Sequence, residues 1–240
     1  METHQRYFSV LGDSLSTLAG ANPPECAVFY RGGIGFEAGV LSPADTWWGQ
    51  VICAFGGALL VNNAWSGSLV CRHPQCEIPS YGCSDERTAG LGDAQKSPDT
   101  VLILMGINDW GAGMRLHPAC DRAGNADLSD EACFANAYRI MLAKIRRFHP
   151  QSRIFCIVPG RSRCTRKPSF TFPAQMHGQT LAAFNRVIAD CAGAAGCGLI
   201  DLSAALPEPF DTVDGFHPNA AGMHSIAQAV IAGIRGQTAR

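Results

Sequence analysis

Four short polar stretches of this 240-residue chain hold the residue types that acyl transfer needs. They are Gly12-Asp13-Ser14-Leu15-Ser16, Asn63-Ala64-Trp65-Ser66-Gly67, Gly106-Ile107-Asn108-Asp109 and Asp214-Gly215-Phe216-His217-Pro218. Together they supply a hydroxyl, a glycine N–H, a side-chain amide and an Asp/His pair three residues apart. A serine hydroxyl is a weak nucleophile at neutral pH, so a histidine has to accept its proton. That histidine needs a carboxylate on its other nitrogen, to fix the tautomer and stabilise the imidazolium. The tetrahedral intermediate carries an oxyanion and needs donors already in place. Gly67 can offer its N–H with no Cβ in the way, Asn108 a neutral amide, and Ser14 its own N–H on entering a helix. Each residue also has a blander use. Ser14 could cap a helix, Asp214 and Gly215 could turn the chain, and Asn108 could tolerate a left-handed turn. Four such coincidences at one sheet edge favour the catalytic reading. Asp13 and Asp109 are expected to be structural, through local turn hydrogen bonds. His4, His73, His117, His149, His177 and His224 have no carboxylate at triad spacing. Trp110 and Phe216 adjoin site residues; they are candidates to line an acyl or leaving-group pocket, with core or rim packing as the alternative.

The elements that must hold these stretches alternate along the chain. Apolar, strand-length runs cover 7–11, 58–61, 101–105, 154–158 and 198–202. Helical spacing marks 45–55, 132–148, 180–191 and 219–234. The run at 101–105 is continuously apolar, as in a strand buried on both faces of a parallel sheet. This order predicts one α/β domain over 1–240, with a central parallel sheet of about five strands and helices on both faces. The polar stretches then fall at the carboxyl edge of the sheet, where such proteins build sites. Two long loops, 110–130 and 160–179, leave the same edge. Arg161, Arg163, Arg166 and Lys167 lie in the second, either as a solvated face or as an attraction for an anionic substrate.

The four stretches, in this order and between these elements, resemble the blocks of the SGNH hydrolases, also called GDSL esterases/lipases. The resemblance runs from position 12 to 217 and so covers nearly the whole chain. It implies a flavodoxin-like three-layer α/β/α sandwich. It also implies Ser14 as nucleophile, His217 as base, Asp214 as the group orienting His217, and an oxyanion hole of Ser14, Gly67 and Asn108. The stretches around Trp47-Trp48 and Gly82-Cys83-Ser84-Asp85-Glu86-Arg87 resemble uncharacterised bacterial members, which fixes no substrate. Members of the family deacetylate carbohydrates, cleave lysophospholipids and thioesters, and hydrolyse lipids. A short acyl group on a small polar alcohol or carbohydrate is the preferred expectation, because nothing reads as a membrane-docking helix or an exposed apolar lid. A lysophospholipase or thioesterase is the alternative. The expected partner is a small-molecule ester, with no cofactor and no metal.

Composition narrows the remaining classes. Hydrophobic residues make up 47% and charged residues 16%, enough for one large core and too little charge for a disordered chain. Nineteen Lys and Arg against 20 Asp and Glu leave no basic excess for nucleic acid. The longest apolar run is far short of the ~20 residues that span a bilayer. Glu2, His4, Gln5 and Arg6 lead into a strand with no signal-peptide pattern, so a cytoplasmic location is expected. Among the 11 cysteines, Cys53, Cys133, Cys156 and Cys191 read as small buried hydrophobes. Cys71, His73, Cys76 and Cys83 are soft ligands whose spacing fits no common zinc finger or ribbon; a zinc site and a local disulfide are minor readings. Gly33 to Ala38 fits a dinucleotide G-x-G-x-x-A pattern after the β-like run 27–30. The helix it requires would soon meet Pro43, however, and no βαβ unit with a closing acidic residue follows. A non-catalytic module on the same fold would be favoured by the loss of one of the four groups, and none is lost. No Gly-x-Ser-x-Gly elbow occurs. The oligomeric state is not legible.

Overall fold

The computed structural model describes residues 5–73, 80–118 and 126–238. Strand β1 (Tyr7–Gly12) leads into a 3₁₀ turn at Ser14–Ser16, followed by α1 (Gly32–Ala38), α2 (Trp47–Ala54) and β2 (Ala58–Ala64). Next come α3 (Asp85–Ala89), β3 (Thr100–Leu104), α4 (Ile107–Gly111), α5 (Phe134–Phe148) and β4 (Arg153–Val158). The chain closes with β5 (Ser162–Cys164), α6 (Leu181–Ala194), β6 (Gly198–Asp201), α7 (Leu202–Ala205), β7 (Phe210–Thr212) and α8 (Ala220–Thr238). Five strands form a parallel sheet in the order β2-β1-β3-β4-β6.

Strand β3 is buried throughout because both its faces are covered. Leu102 and Leu104 join a core with Trp48, Val51, Met223 and Val230 of α2 and α8. Val101 and Ile103 point the other way, into a core with Tyr138, Met141, Phe184 and Ile188 of α5 and α6. The result is a three-layer α/β/α sandwich. In α5 the buried stripe Phe134, Tyr138, Met141, Leu142 and Ile145 recurs at helical spacing and fixes which face turns inward. Helix α2 starts later than the expected 45–55, because Pro43–Asp45 first forms a 3₁₀ turn closed by Ser42 and Asp45. The Thr46 side chain then accepts from Gly49 N–H and caps α2.

Two small features differ from the sequence expectation. The β-like run 27–30 is not a strand, although the glycine-rich Gly32–Ala38 is a helix. Strands β5 and β7 form a separate two-stranded parallel sheet. At three residues each they are too short to show a period. The strand register decides where polar turns can meet: Gly12 pairs with Ala64 on one side and Leu104 on the other. Strands β1, β2 and β3 therefore end level, and the turns leaving them start together. The chain order also reverses between β1 and β3, the place where open α/β sheets bind ligands. Among the described residues no helix is long and apolar enough to cross a membrane.

Candidate active site

Ser14 sits where β1 runs out. A Cβ on Gly12 would lie 2.6 Å from Cβ and Oγ of Ser16, so only glycine lets the chain fold back this tightly. The Asp13 side chain accepts from Leu15 N–H at 3.0 Å and caps the turn. Ser16 anchors it: its carbonyl accepts from Trp48 Nε1 and from Asn62 Nδ2, both at 2.9 Å, and its Oγ accepts from Trp47 Nε1 at 3.2 Å. Ser14 itself is almost fully buried.

The Asp214–His217 turn lies between β7 and α8. One oxygen of Asp214 accepts from Phe216 N–H (2.9 Å) and His217 N–H (2.8 Å), folding the turn on its own side chain. The other accepts from His217 Nδ1 at 2.6 Å. Holding the proton on Nδ1 leaves Nε2 as an acceptor, and Ser14 Oγ lies 2.9 Å from it. The other end of the turn is pinned by Ser162 Oγ, which donates to Gly215 O at 2.6 Å, and by Tyr30, whose hydroxyl donates to Pro218 O at 2.7 Å. The His217 ring stacks on Phe29 with centroids 3.6 Å apart and planes within 10°. Partial burial works to raise the Asp214 carboxyl. The hydrogen bonds from the His217 ring and from the His217 and Phe216 N–H groups prevail and hold it at about 2.

Gly67 takes a left-handed φ of 78° in the turn after β2, a conformation that favours glycine. Asn108 reaches across to this turn and donates through Nδ2 to Ser68 O at 3.0 Å. Asp109 does not serve a local turn, as its position suggests. It is fully buried and accepts from Val70 N–H (2.9 Å) and Cys71 N–H (3.0 Å), so it ties α4 to the segment leaving Gly67. Arg87, also buried, completes the frame. Its guanidinium donates to Gly12 O (2.8 Å), Asn63 O (2.8 Å) and Ser68 Oγ (2.7 Å), joining the ends of β1 and β2 to the glycine turn. Asp13 is buried beneath the edge, with one carboxyl oxygen unpartnered among the described residues. Burial pushes its pKa up to about 7, against the Leu15 N–H and the nearby His217 and Arg87.

The structure thus brings Ser14, Asp214, His217, Gly67 and Asn108 to one edge. Arg87 and Phe29 join them without having been singled out as site residues. Trp110 is not on a pocket wall: it is fully buried in the core, its Nε1 donating to Gln179 O at 2.8 Å. Phe216 lines a small crevice with Leu15, Ile107 and Phe172. Cys71 and Cys83 are buried free thiols, and Cys76 lies outside the described residues. Among the described residues no three His, Cys, Asp or Glu side chains are grouped to hold a metal.

A Ser–His–Asp relay at the carboxyl edge of a parallel sheet ordered in this way describes an α/β/α hydrolase. The chain belongs to the GDSL-like lipase/acylhydrolase family, whose model matches residues 10–224, and it is a carboxylic ester hydrolase acting on small-molecule esters. Solved structures agree in fold. A GDSL-like lipase candidate from Bacteroides ovatus ATCC 8483 is 22% identical, with a TM-score of 0.73 over 98% of this chain and 100% of its own. Another, from Bacteroides uniformis ATCC 8492, is 26% identical, with a TM-score of 0.71 over 97% and 96%. The M. smegmatis aryl esterase is 16% identical, with a TM-score of 0.62 over 96% and 99%. No curated protein matches the chain.

Proposed function

We propose that the whole chain acts as one domain, a serine esterase working through an acyl-enzyme on Ser14, with acetyl esters of a small polar alcohol or carbohydrate as preferred substrates. The relay carries this reading: Asp214 to His217 at 2.6 Å and His217 to Ser14 at 2.9 Å. Ser14 Oγ attacks the ester carbonyl carbon, and His217 Nε2 takes the hydroxyl proton. The carbonyl π electrons move to an oxyanion facing the N–H groups of Ser14 and Gly67 and the Asn108 amide. Collapse breaks the bond to the alcohol oxygen, which leaves with the proton from His217. Water then attacks the acyl-enzyme, gives a proton to His217 and releases the acid, and that proton returns to Ser14 Oγ. Asp214 stabilises the imidazolium in both halves. No step calls for a metal.

The crevice shared by Leu15, Ile107 and Phe216 supports a short acyl group, since it offers about 10 Å³, space for about one water-sized group. One observation favours longer chains instead. Ile34, Phe36 and Leu41 are exposed on and after α1, in the segment that follows Phe29, which stacks on His217, and Tyr30, which holds Pro218 O. A fluorophosphonate should label Ser14 alone and abolish ester hydrolysis, with peptide mapping as the readout. A label on another serine would overturn the assignment. Across p-nitrophenyl esters, kcat/KM should fall from acetyl to decanoyl; a rise would hand the site to a lipid substrate.

A further inference from the structure

Beside the catalytic edge, between the end of β4 and the start of α6, lies an open cavity of about 700 Å³, within the size range of small-molecule sites. Its apolar wall includes Pro159, Phe172 and Leu181, and Arg161 and Arg186 stand on its lining. The arginines of this region are not equivalent. Arg163 is paired with Asp211 at 2.5 Å and Arg166 with Glu37 at 2.7 Å. The guanidinium groups of Arg161 and Arg186 have no partner among the described residues. Asp201 also lines the cavity, but its Oδ1 is committed to Ser203 N–H (2.8 Å), Ser203 Oγ (2.5 Å) and Ala204 N–H (3.3 Å) at the start of α7. The wall is held in place, because Asn185 Nδ2 donates to Pro159 O at 2.9 Å.

The cavity adjoins the reacting groups through Phe172 and Pro159. Both also line the crevice formed by Leu15, Ile107 and Phe216, which are the chain neighbours of Ser14, Asn108 and His217. The rings of Phe172 and Phe216 are 5.8 Å apart. Two guanidinium groups without an ion-pair partner outnumber the single Asp201 carboxylate on the lining and leave it net positive, which attracts anions, and their planar forks match carboxylate and phosphate oxygens. We infer that this cavity is a subsite for an anionic oxygen group, carboxylate or phosphate, carried on the alcohol half of the ester. The inference rests on the esterase reading and narrows its substrate class.

Three aryl acetates test it, alike except for a para carboxymethyl, phosphonomethyl or carboxamidomethyl group, the methylene keeping leaving-group reactivity similar. The wild-type enzyme should prefer at least one anionic ester over the amide by about tenfold in kcat/KM, mostly through KM. The preference should shrink as salt rises. In the Arg161→Gln/Arg186→Gln double variant the preference should vanish while amide-ester turnover stays within about twofold. The rank of carboxylate and phosphonate then identifies the anion. Equal rates for all three esters in the wild type, or a preference that survives the double variant, overturn the subsite. Failure of the esterase reading looks different, since the neutral amide ester would then also go unhydrolysed. Calorimetry with 4-(phosphonomethyl)phenol and 4-hydroxyphenylacetate probes the cavity without turnover: binding of either that the double variant loses supports the subsite, and no wild-type binding of either overturns it.

Discussion

Asn108 has two amide hydrogens and two uses for them. One holds Ser68 O at 3.0 Å, which sets the plane of the amide against the Gly67 turn. In the proposed mechanism the other is left for the oxyanion, and that bond strengthens only as charge develops on the carbonyl oxygen. Asn108→Ala should therefore lower kcat by about 10²–10³ with a smaller change in KM. Asn108→Asp should be at least as damaging, because it places a like charge opposite the oxyanion. A residue that only shaped the turn would cost melting temperature and leave the kcat of the folded enzyme nearly unchanged. Steady-state kinetics with thermal melts on both variants separate the two cases. A well-folded Asn108→Ala enzyme within a few-fold of wild-type kcat would remove Asn108 from the site.

Among the elements, the level ends of β1, β2 and β3 bring Ser14, Gly67 and Asn108 together, and Arg87 of α3 locks two of those ends to the glycine turn. A lysine has a single compact ammonium and cannot span three acceptors in different directions. Arg87→Lys should thus give a folded enzyme with kcat lower by roughly 10² and KM little changed, as the Ser14 and Gly67 turns lose their mutual placement. If Arg87 only stabilises the fold, the melt will shift and kcat will not. This clamp shows what the sequence can and cannot reveal. Runs such as 101–105 announce their strands because burial on both faces demands unbroken apolar residues. Ser14, Asn108, Asp214 and His217 stand in short motifs whose residue types suggest the proposed chemistry in one dimension. Arg87 leaves no such trace: two of its three acceptors are backbone carbonyls, 75 and 24 residues away. Asp109 misleads for the same reason, since its donors are backbone N–H groups 39 and 38 residues distant. Stacking of Phe29 on His217 likewise arises only from the fold.

At the scale of the whole molecule, two acids of the site pull stability in opposite directions with pH. Asp214, held at about 2, contributes stability that is present above the unfolded carboxyl value near ~4 and is lost as pH falls through 2. Asp13 has the reverse sign. Burial holds its native carboxyl protonated up to about 7, whereas the unfolded chain releases that proton near ~4. Between those values the native state binds more protons than the unfolded one, so the Asp13 contribution falls as pH rises. Replacing Asp13 by asparagine removes the titration and keeps a side-chain oxygen to accept from Leu15 N–H, the contact now at 3.0 Å. Asp214 titrates alike in both proteins, so the difference between their melting temperatures isolates Asp13. On moving from pH 5 to pH 8, Asp13→Asn should gain on wild type by at least ~1 kcal/mol, or about 2–4 °C for a chain of this size. The comparison is one of slopes, so a constant offset from the new amide does not disturb it. A melting difference that stays the same at both pH values would mean that Asp13 is ionised in the native protein throughout, with its charge balanced by the buried guanidinium of Arg87.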